Sequence, residues 1–296
     1  MLEIAVIPKS TTHEFWRAVH AGVERAARDL GVKVIWKGPL KEDDRAAQIQ
    51  VVEDMVVRGV DGIVLMPLDR KALVAPAREA RGRGIPVVIA DSDLDWTDRA
   101  SFVATDNRRG GELAGEALGE LVGGSGKVLL LRYVEGSAST YAREEGFLEA
   151  LGRFDGIELV STNQYAGATN ESAYQASENL LNSFADLDGI FCPNESSAFG
   201  MLRALQDAGR AGQVQFVGFD SSSKLVDALR AGEIDALVLQ DPVRMGDLAL
   251  RACVGAIRGE APDARIDTGV IVVPSADVDS PAVQALLRPD LSILDD

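Results

Sequence analysis

Cysteine, histidine and long apolar runs are scarce in this 296-residue chain, and each shortage removes a class of function. The two cysteines, Cys192 and Cys253, lie far apart and give neither a disulfide framework nor metal-ligand spacing. Each is expected as a small buried hydrophobe. His13 and His20 are the only histidines, with no cluster around them to suggest a metal. No apolar run reaches the roughly 18 residues of a membrane-spanning helix. The chain enters the apolar segment Glu3-Ile4-Ala5-Val6-Ile7 without a basic stretch and apolar core of the secretory type before it. Basic residues are few: 30 Lys+Arg stand against 46 Asp+Glu, for a net charge of −16. A nucleic-acid backbone calls for the opposite balance, so no nucleic-acid partner is expected.

Motifs of catalysis are equally thin. Gly123-Gly124-Ser125-Gly126-Lys127 has the composition of a phosphate loop, but it precedes its strand and no Ser or Thr follows the lysine. It reads as a plain turn. Neither a Gly-x-Ser-x-Gly elbow nor a Gly-x-Gly-x-x-Gly after a strand is present. The reading is of a protein that is not an enzyme, with no catalytic residue, no metal and no cofactor.

What the chain does have is alternation. Short β-branched runs at residues 4–7, 32–36, 62–66 and 86–90 are separated by amphipathic stretches of helical period. The same order recurs with runs at 128–131, 158–162, 189–192 and 214–218, followed by further strands at 236–239 and 269–273. Continuous apolar runs between helices mark parallel strands covered on both faces. Asp61-Gly62-Ile63 and Asp91 recur as Asp188-Gly189-Ile190 and Asp220, at offsets of 127 and 129 residues, while Gly22 and Gly146 keep an offset of 124. A repeat this long means two similar lobes. The fold class is α/β: two similar doubly wound parallel-sheet lobes joined by a three-strand hinge. Crossings are expected near residues 105–107, 239–241 and 267–270. Residues 1–105 with 241–268 then make one lobe, and 106–240 with 269–296 the other, with a ligand cleft between them.

Ligands of open α/β sheets sit at the C-terminal strand ends. Those ends carry Lys9-Ser10 with His13, Phe15 and Trp16 beyond, then Asp91-Ser92-Asp93. In the second half they carry residues 135–139 with Arg143 beyond, Asn194-Glu195, Asp220-Ser221-Ser222 and the crossing Gln240-Asp241. Carboxylates, amides and a guanidinium together suit a polyhydroxylated ligand, whose hydroxyls both donate and accept. Aromatic faces cover the C–H side of such a ring. Strand-end Asp and Asn also serve as turn residues and helix caps. Phe15 shares an apolar helix face with Val19 and Val23, so Trp16 is the ring expected in the cleft. A buried Lys9 needs a carboxylate, and Asp91 or Asp220 is the expected partner.

These residues resemble the ribose-binding type of periplasmic sugar-binding proteins, which feed ABC transporters. The resemblance covers nearly the whole chain and is carried by Phe15-Trp16, SFVATDNRRGG at 101–111, Arg143 with Gly146-Phe147, FCPNE at 191–195, VGFD at 217–220 and QDPVRMG at 240–246. It implies that Phe15 and Trp16 stack on a sugar, and that Asp91, Arg143, Asn194, Asp220 and Gln240 hydrogen-bond its hydroxyls. Lys9 and His13 stand where ribose binders have serine and asparagine, and Ser92 where they have arginine. The second stacking ring of the family falls near Gly167-Ala168, where Tyr165 is the closest aromatic. Lys9, Asp91-Ser92-Asp93 and Pro193 also resemble the autoinducer-two and rhamnose branch, which leaves the exact sugar open.

The implied function is the solute-binding component of an ABC transporter. It captures a monosaccharide or similar small polyol by hinge closure and delivers it to a membrane permease, as a monomer. It is expected in the periplasm or as an extracellular lipoprotein, touching the membrane only through the permease or a lipid anchor. The alternatives are an autoinducer-two or rhamnose-like binder of the same family, and the ligand-sensing domain of a lactose-repressor-type regulator without its DNA-binding module. The strong acidity leans toward a neutral or cationic sugar.

Overall fold

The computed structural model describes residues 1–295. A first sheet contains β1 (Glu3–Ile7), β2 (Lys33–Trp36), β3 (Gly62–Leu65), β4 (Val87–Ala90), β5 (Ser101–Ala104) and β11 (Arg265–Asp267). All are parallel, in the order β11-β5-β4-β3-β1-β2. A second sheet contains β6 (Ser125–Arg132), β7 (Gly156–Tyr165), β8 (Gly189–Phe191), β9 (Gln215–Phe219), β10 (Ala236–Gln240) and β12 (Val270–Pro274). Its order is β12-β10-β9-β8-β6-β7, with β12 antiparallel to β10. The inner strands are buried along their length, so both faces of each sheet carry a core.

Helices α1 (Glu14–Leu30), α2 (Arg45–Arg58), α3 (Val74–Gly82) and α9 (Pro242–Ile257) cover the first sheet. The second is covered by α4 (Asn107–Leu121), α5 (Ala138–Leu151), α6 (Asn170–Ser183), α7 (Glu195–Asp207), α8 (Ser223–Ala231) and the short α10 (Pro281–Leu287). The glycine repeat has a packing cause. A Cβ on Gly22 would lie 1.9 Å from the Val243 carbonyl oxygen, and one on Gly146 would lie 2.1 Å from that of Arg108. Those contacts join α1 to α9 in one lobe and α5 to α4 in the other. Glycine lets the paired backbones touch at equivalent points of the two halves.

The chain passes between the sheets after β5, after β10 and after β11. The passages are tied to one another. The Thr105 and Thr268 hydroxyls are 3.1 Å apart, and Asp267 Oδ1 accepts from the amides of Asp106 at 3.1 Å and Gly269 at 3.0 Å. Asp106 and Asp241 then cap α4 and α9, accepting from Arg109 and Arg244 amides.

The tail departs from the expectation that residues 269–296 stay in the second lobe. Leu287 joins the second lobe's core and Arg288 pairs with Asp227 at 3.0 Å. Beyond it, Arg25 and Arg28 of α1 donate to the carbonyls of Asp290 at 2.7 Å and Ile293 at 3.2 Å. The last described residues are therefore fastened to the first lobe, and residues 288–290 make a fourth connection.

Candidate ligand-binding cleft

The C-terminal ends of both sets of parallel strands face a cavity between the lobes. Lys9, His13, Phe15, Trp16, Glu42 and Asp91 line it from the first lobe, and Tyr133, Ser139, Thr140, Arg143, Asn194, Glu195 and Asp220 from the second. Gln240, at the β10 crossing, completes the wall.

Lys9 follows β1, buried, with Nζ 2.6 Å from Asp91 Oδ2. The contact is one of charge, since the geometry gives Asp91 Oδ2 no aligned hydrogen bond. Nζ instead donates to Ser139 Oγ across the cleft at 3.1 Å. Asp91 and Asp220 are the only non-glycine residues of positive φ among those described, at 61° and 70°. Both follow the fourth strand of their half, and both turn the chain sharply so that the carboxylate enters the cavity.

A second cluster centres on Glu42, in the loop between β2 and α2, which the sequence reading did not single out. Glu42 Oε1 is 3.1 Å from His13 Nδ1 and accepts from Trp16 Nε1, while Oε2 accepts from the hydroxyl of Tyr133 in the other lobe. Burial alone would neutralise both members of the His13–Glu42 pair. The pairing overrides it: His13 is pushed up to about 9, with Glu195 and Asp220 adding to the Glu42 charge. Glu42 is drawn down to about 2 by His13, Lys9 and the Tyr133 hydrogen bond. The Tyr133 hydroxyl, buried against that carboxylate, is raised well above its ordinary value and stays a donor.

Arg143 is fixed on three sides. Nε donates to Asn107 Oδ1 at 2.8 Å, Nη1 donates to the Pro193 carbonyl at 2.9 Å, and the guanidinium lies 3.8 Å from the Phe219 ring centroid. Nη1 is also 3.7 Å from Asp220 Oδ2. Asp220 Oδ1 accepts from Gln240 Nε2 at 2.6 Å. Burial raises the Asp220 carboxyl and Arg143 opposes that rise.

Two acids reach across the cleft to the ends of helices. Helix α1 has no side-chain cap of its own at His13. The Phe15 amide of its first turn donates to Glu195 Oε2, from α7, at 3.1 Å. Reciprocally, Glu14 of α1 accepts from the Ser223 amide at 3.0 Å and the Ser223 hydroxyl at 2.8 Å, at the start of α8. Each carboxylate sits where the helix field favours a negative charge.

Of the ten residues expected in the site, nine line the cavity; Ser92 does not. Its hydroxyl is turned away to accept from the Ser139 amide at 3.1 Å, an interlobe bond. Asn194 lines the wall, but Oδ1 caps α7 through Ser197 in a reciprocal capping box and Nδ2 donates to Ser196 Oγ at 3.0 Å, so both ends of its amide are engaged in the first turn of α7. Phe15 enters the wall together with Trp16, edge to face at 4.9 Å and 86°, although it also shares the apolar face of α1 with Val19 and Val23. Tyr165 is 47% exposed and lies outside the cavity; Tyr133 supplies the second lobe's ring instead. Tyr133 sits one residue beyond β6, a strand-end position that the placement rule covers. Besides Asp91 Oδ2, two buried polar atoms of this wall, Gln240 Oε1 and Thr140 Oγ1, have no hydrogen-bond partner.

A family model described as "Periplasmic binding protein domain" matches residues 4–261. The chain belongs to the periplasmic binding protein family. It is 30% identical to a D-ribose/D-allose-binding protein of Pseudomonas aeruginosa, over 94% of this chain and 89% of that protein. It is 32% identical to the D-allose-binding periplasmic protein of Escherichia coli, over 86% of this chain and 84% of that one. Among solved structures, an ABC transporter solute-binding protein from Agrobacterium vitis with bound D-fucose superposes with a TM-score of 0.92 at 34% identity, covering 96% of this chain and 99% of that one. A carbohydrate transporter solute-binding protein from Agrobacterium radiobacter, in complex with D-arabinose, gives 0.93 at 31% identity, covering 97% and 99%. Periplasmic binding proteins of this type are the substrate-binding parts of transport systems, and the two-lobed α/β fold described above is theirs.

Proposed function

We propose that this periplasmic binding protein captures a monosaccharide or similar small polyol between its lobes and presents it to the permease of an ABC transporter. The observation that carries this reading is the make-up of the cavity wall. Buried ionic and amide groups from both lobes converge beside the Phe15–Trp16 pair, the combination that recognises hydroxyls on one side and C–H surface on the other. The sugars named for the relatives and neighbours support it.

Closure follows from the cross-lobe contacts. Tyr133 to Glu42, Lys9 to Ser139, Phe15 to Glu195 and Ser223 to Glu14 all form only when the lobes meet. A ligand that touches both walls adds its bonds to these and shifts the population toward the closed form. Both walls come from one chain, so a monomer suffices. The closed form then offers the permease a joint surface of the two lobes.

A thermal-shift screen over pentoses, hexoses, deoxysugars and alditols tests the reading, with calorimetry on every hit. At least one member should raise the unfolding temperature and bind one per chain; a screen with no hit would remove the proposal.

A further inference from the structure

The cavity wall carries four carboxylates against three cationic side chains, Lys9, His13 and Arg143. Three of its four carboxylates have a cationic nitrogen within ion-pair distance: Asp91 has Lys9 at 2.6 Å, Glu42 has His13 at 3.1 Å and Asp220 has Arg143 at 3.7 Å. Glu195 has none within 4.0 Å among the described residues. Its recorded hydrogen bond is the one that Oε2 accepts from the Phe15 amide. Two neutral atoms of the wall are also buried without a hydrogen-bond partner and can accept. Gln240 Oε1 can only accept, and it is buried without a partner while Nε2 of the same amide is fixed on Asp220. The Thr140 hydroxyl can accept as well, and both residues are more than nine-tenths buried, at 4% and 3% exposure.

We propose that the cavity selects a polyol bearing a protonated amine, an aminosugar or an amino- or imino-alditol, with its ammonium group set against Glu195. The proposal rests on the polyol-capture reading above and narrows its ligand class. A hydroxyl brings one donor, whereas an ammonium brings several donors and a charge. Hydrogen bonds to an ionised partner are roughly twice as strong as neutral ones. An acidic sugar, by contrast, would find each cation of the wall already matched by a carboxylate, and would have to displace that carboxylate at the cost of leaving it buried and unpaired.

The surroundings of Glu195 favour an added positive charge. Burial pushes its carboxyl up to about 7; the Glu14 and Asp220 charges add to the rise, and the more distant His13 and the Phe15 amide oppose it. An arriving ammonium favours the ionised carboxylate, so binding should expel a proton over the range where Glu195 titrates. The net charge of −16 also steers cations toward the molecule.

Calorimetry at pH 7 on matched pairs tests this: glucose with glucosamine, galactose with galactosamine, mannose with mannosamine, each against the wild-type chain and Glu195→Gln. The expected result is an amine member that binds at least about tenfold tighter than its hydroxyl partner. Its enthalpy should vary with the ionisation heat of the buffer as the proton is released. In Glu195→Gln the ratio within that pair should fall to within about twofold. Equal or tighter binding of the hydroxyl members in all pairs overturns the proposal while leaving sugar capture intact. Amine preference that survives in Glu195→Gln also overturns it. Failure of every member of both series to bind overturns the amine proposal, while the capture reading falls only if the wider sugar screen gives no hit. The pair ratio and the proton release are read on the wild-type chain, so the test stands even if the variant does not fold.

Discussion

Asp91 and Asp220 share one backbone geometry, φ 61° and 70°, at the ends of β4 in one lobe and β9 in the other. An L-residue held there carries strain of about 1–2 kcal/mol, less for Asp and Asn, whose short polar side chains suit it. The strain is repeated at equivalent points, and each carboxylate faces the cavity. Asp220→Asn and Asp220→Ala separate the two effects. Both should weaken sugar binding by about tenfold or more. The alanine variant should also be less stable without ligand than the asparagine variant, by about 1 kcal/mol, in denaturant titrations of the two.

Arg143 uses the shape of its guanidinium as well as its charge: Nε on Asn107, Nη1 on Pro193 and the plane on Phe219. Lysine keeps the charge and loses the fork. Arg143→Lys should therefore bind sugar about a hundredfold more weakly, with circular dichroism unchanged. Affinity within threefold of wild type would show that position 143 serves only to balance charge.

Tyr133 and Glu42 connect the lobes through one charge-assisted bond. Tyr133→Phe removes that bond and keeps the ring in the wall. It should lower sugar affinity by about tenfold through loss of closure, since bonds to a charged group contribute about 1.5–3 kcal/mol. Small-angle scattering of the unliganded variant should show a larger radius of gyration than wild type.

The two glycine contacts make a matched pair of stability tests. Gly22→Ala drives a methyl into the Val243 carbonyl and Gly146→Ala into that of Arg108. Each should lower stability by about 1–3 kcal/mol, the range of overpacked cores. Calorimetric melts should show the two losses to be similar, because the helix pairs are equivalent.

The pH profile has a calculable sign. His13 titrates near 9 in the fold against an ordinary 6.5, so its pairing stabilises fully below 6.5 and is lost as pH rises through 9. Glu42, drawn from 4.5 down to about 2, stabilises above 4.5 and is lost as pH falls toward 2. Glu195 works in the opposite sense: raised to about 7, it withdraws stability as pH climbs from 4.5 through 7. Glu195→Gln can still accept from the Phe15 amide, so without ligand it should be more stable than wild type above pH 7, by roughly 1–3 kcal/mol. His13→Gln should flatten the decline between pH 6.5 and 9. Melting temperatures across pH 4–10 check both.

Much of this site was legible because parallel sheets deliver their strand ends to one place. Lys9, Asp91, Arg143, Asp220 and Gln240 were found by position alone. Glu42 was not, because it lies on a connecting loop in the acid-rich stretch 37–44, where no periodicity marks one carboxylate from its neighbours. The same limit hid two elements of the fold. Residues 101–104 and 107–121, on either side of the crossing expected at 105–107, carry no element assignment from the sequence, yet they form β5 and α4. Gly110, Gly111, Gly115 and Gly119 lower the helix propensity of that stretch. Their purpose is tertiary: a Cβ on Gly111 would meet the Arg143 carbonyl of α5 at 1.9 Å. Tertiary contact also decided the tail, whose return to α1 rests on Arg25 and Arg28 and on no local pattern.

The central claim is that a sugar binds between these lobes, on these residues. The most direct measurement is a calorimetric titration, with the best hit of the sugar screen, of wild type, Asp91→Ala and Arg143→Ala. The account predicts one site per wild-type chain and no measurable heat of binding in either variant, both still folded by circular dichroism. Unaltered affinity in both variants would contradict it and place the ligand elsewhere.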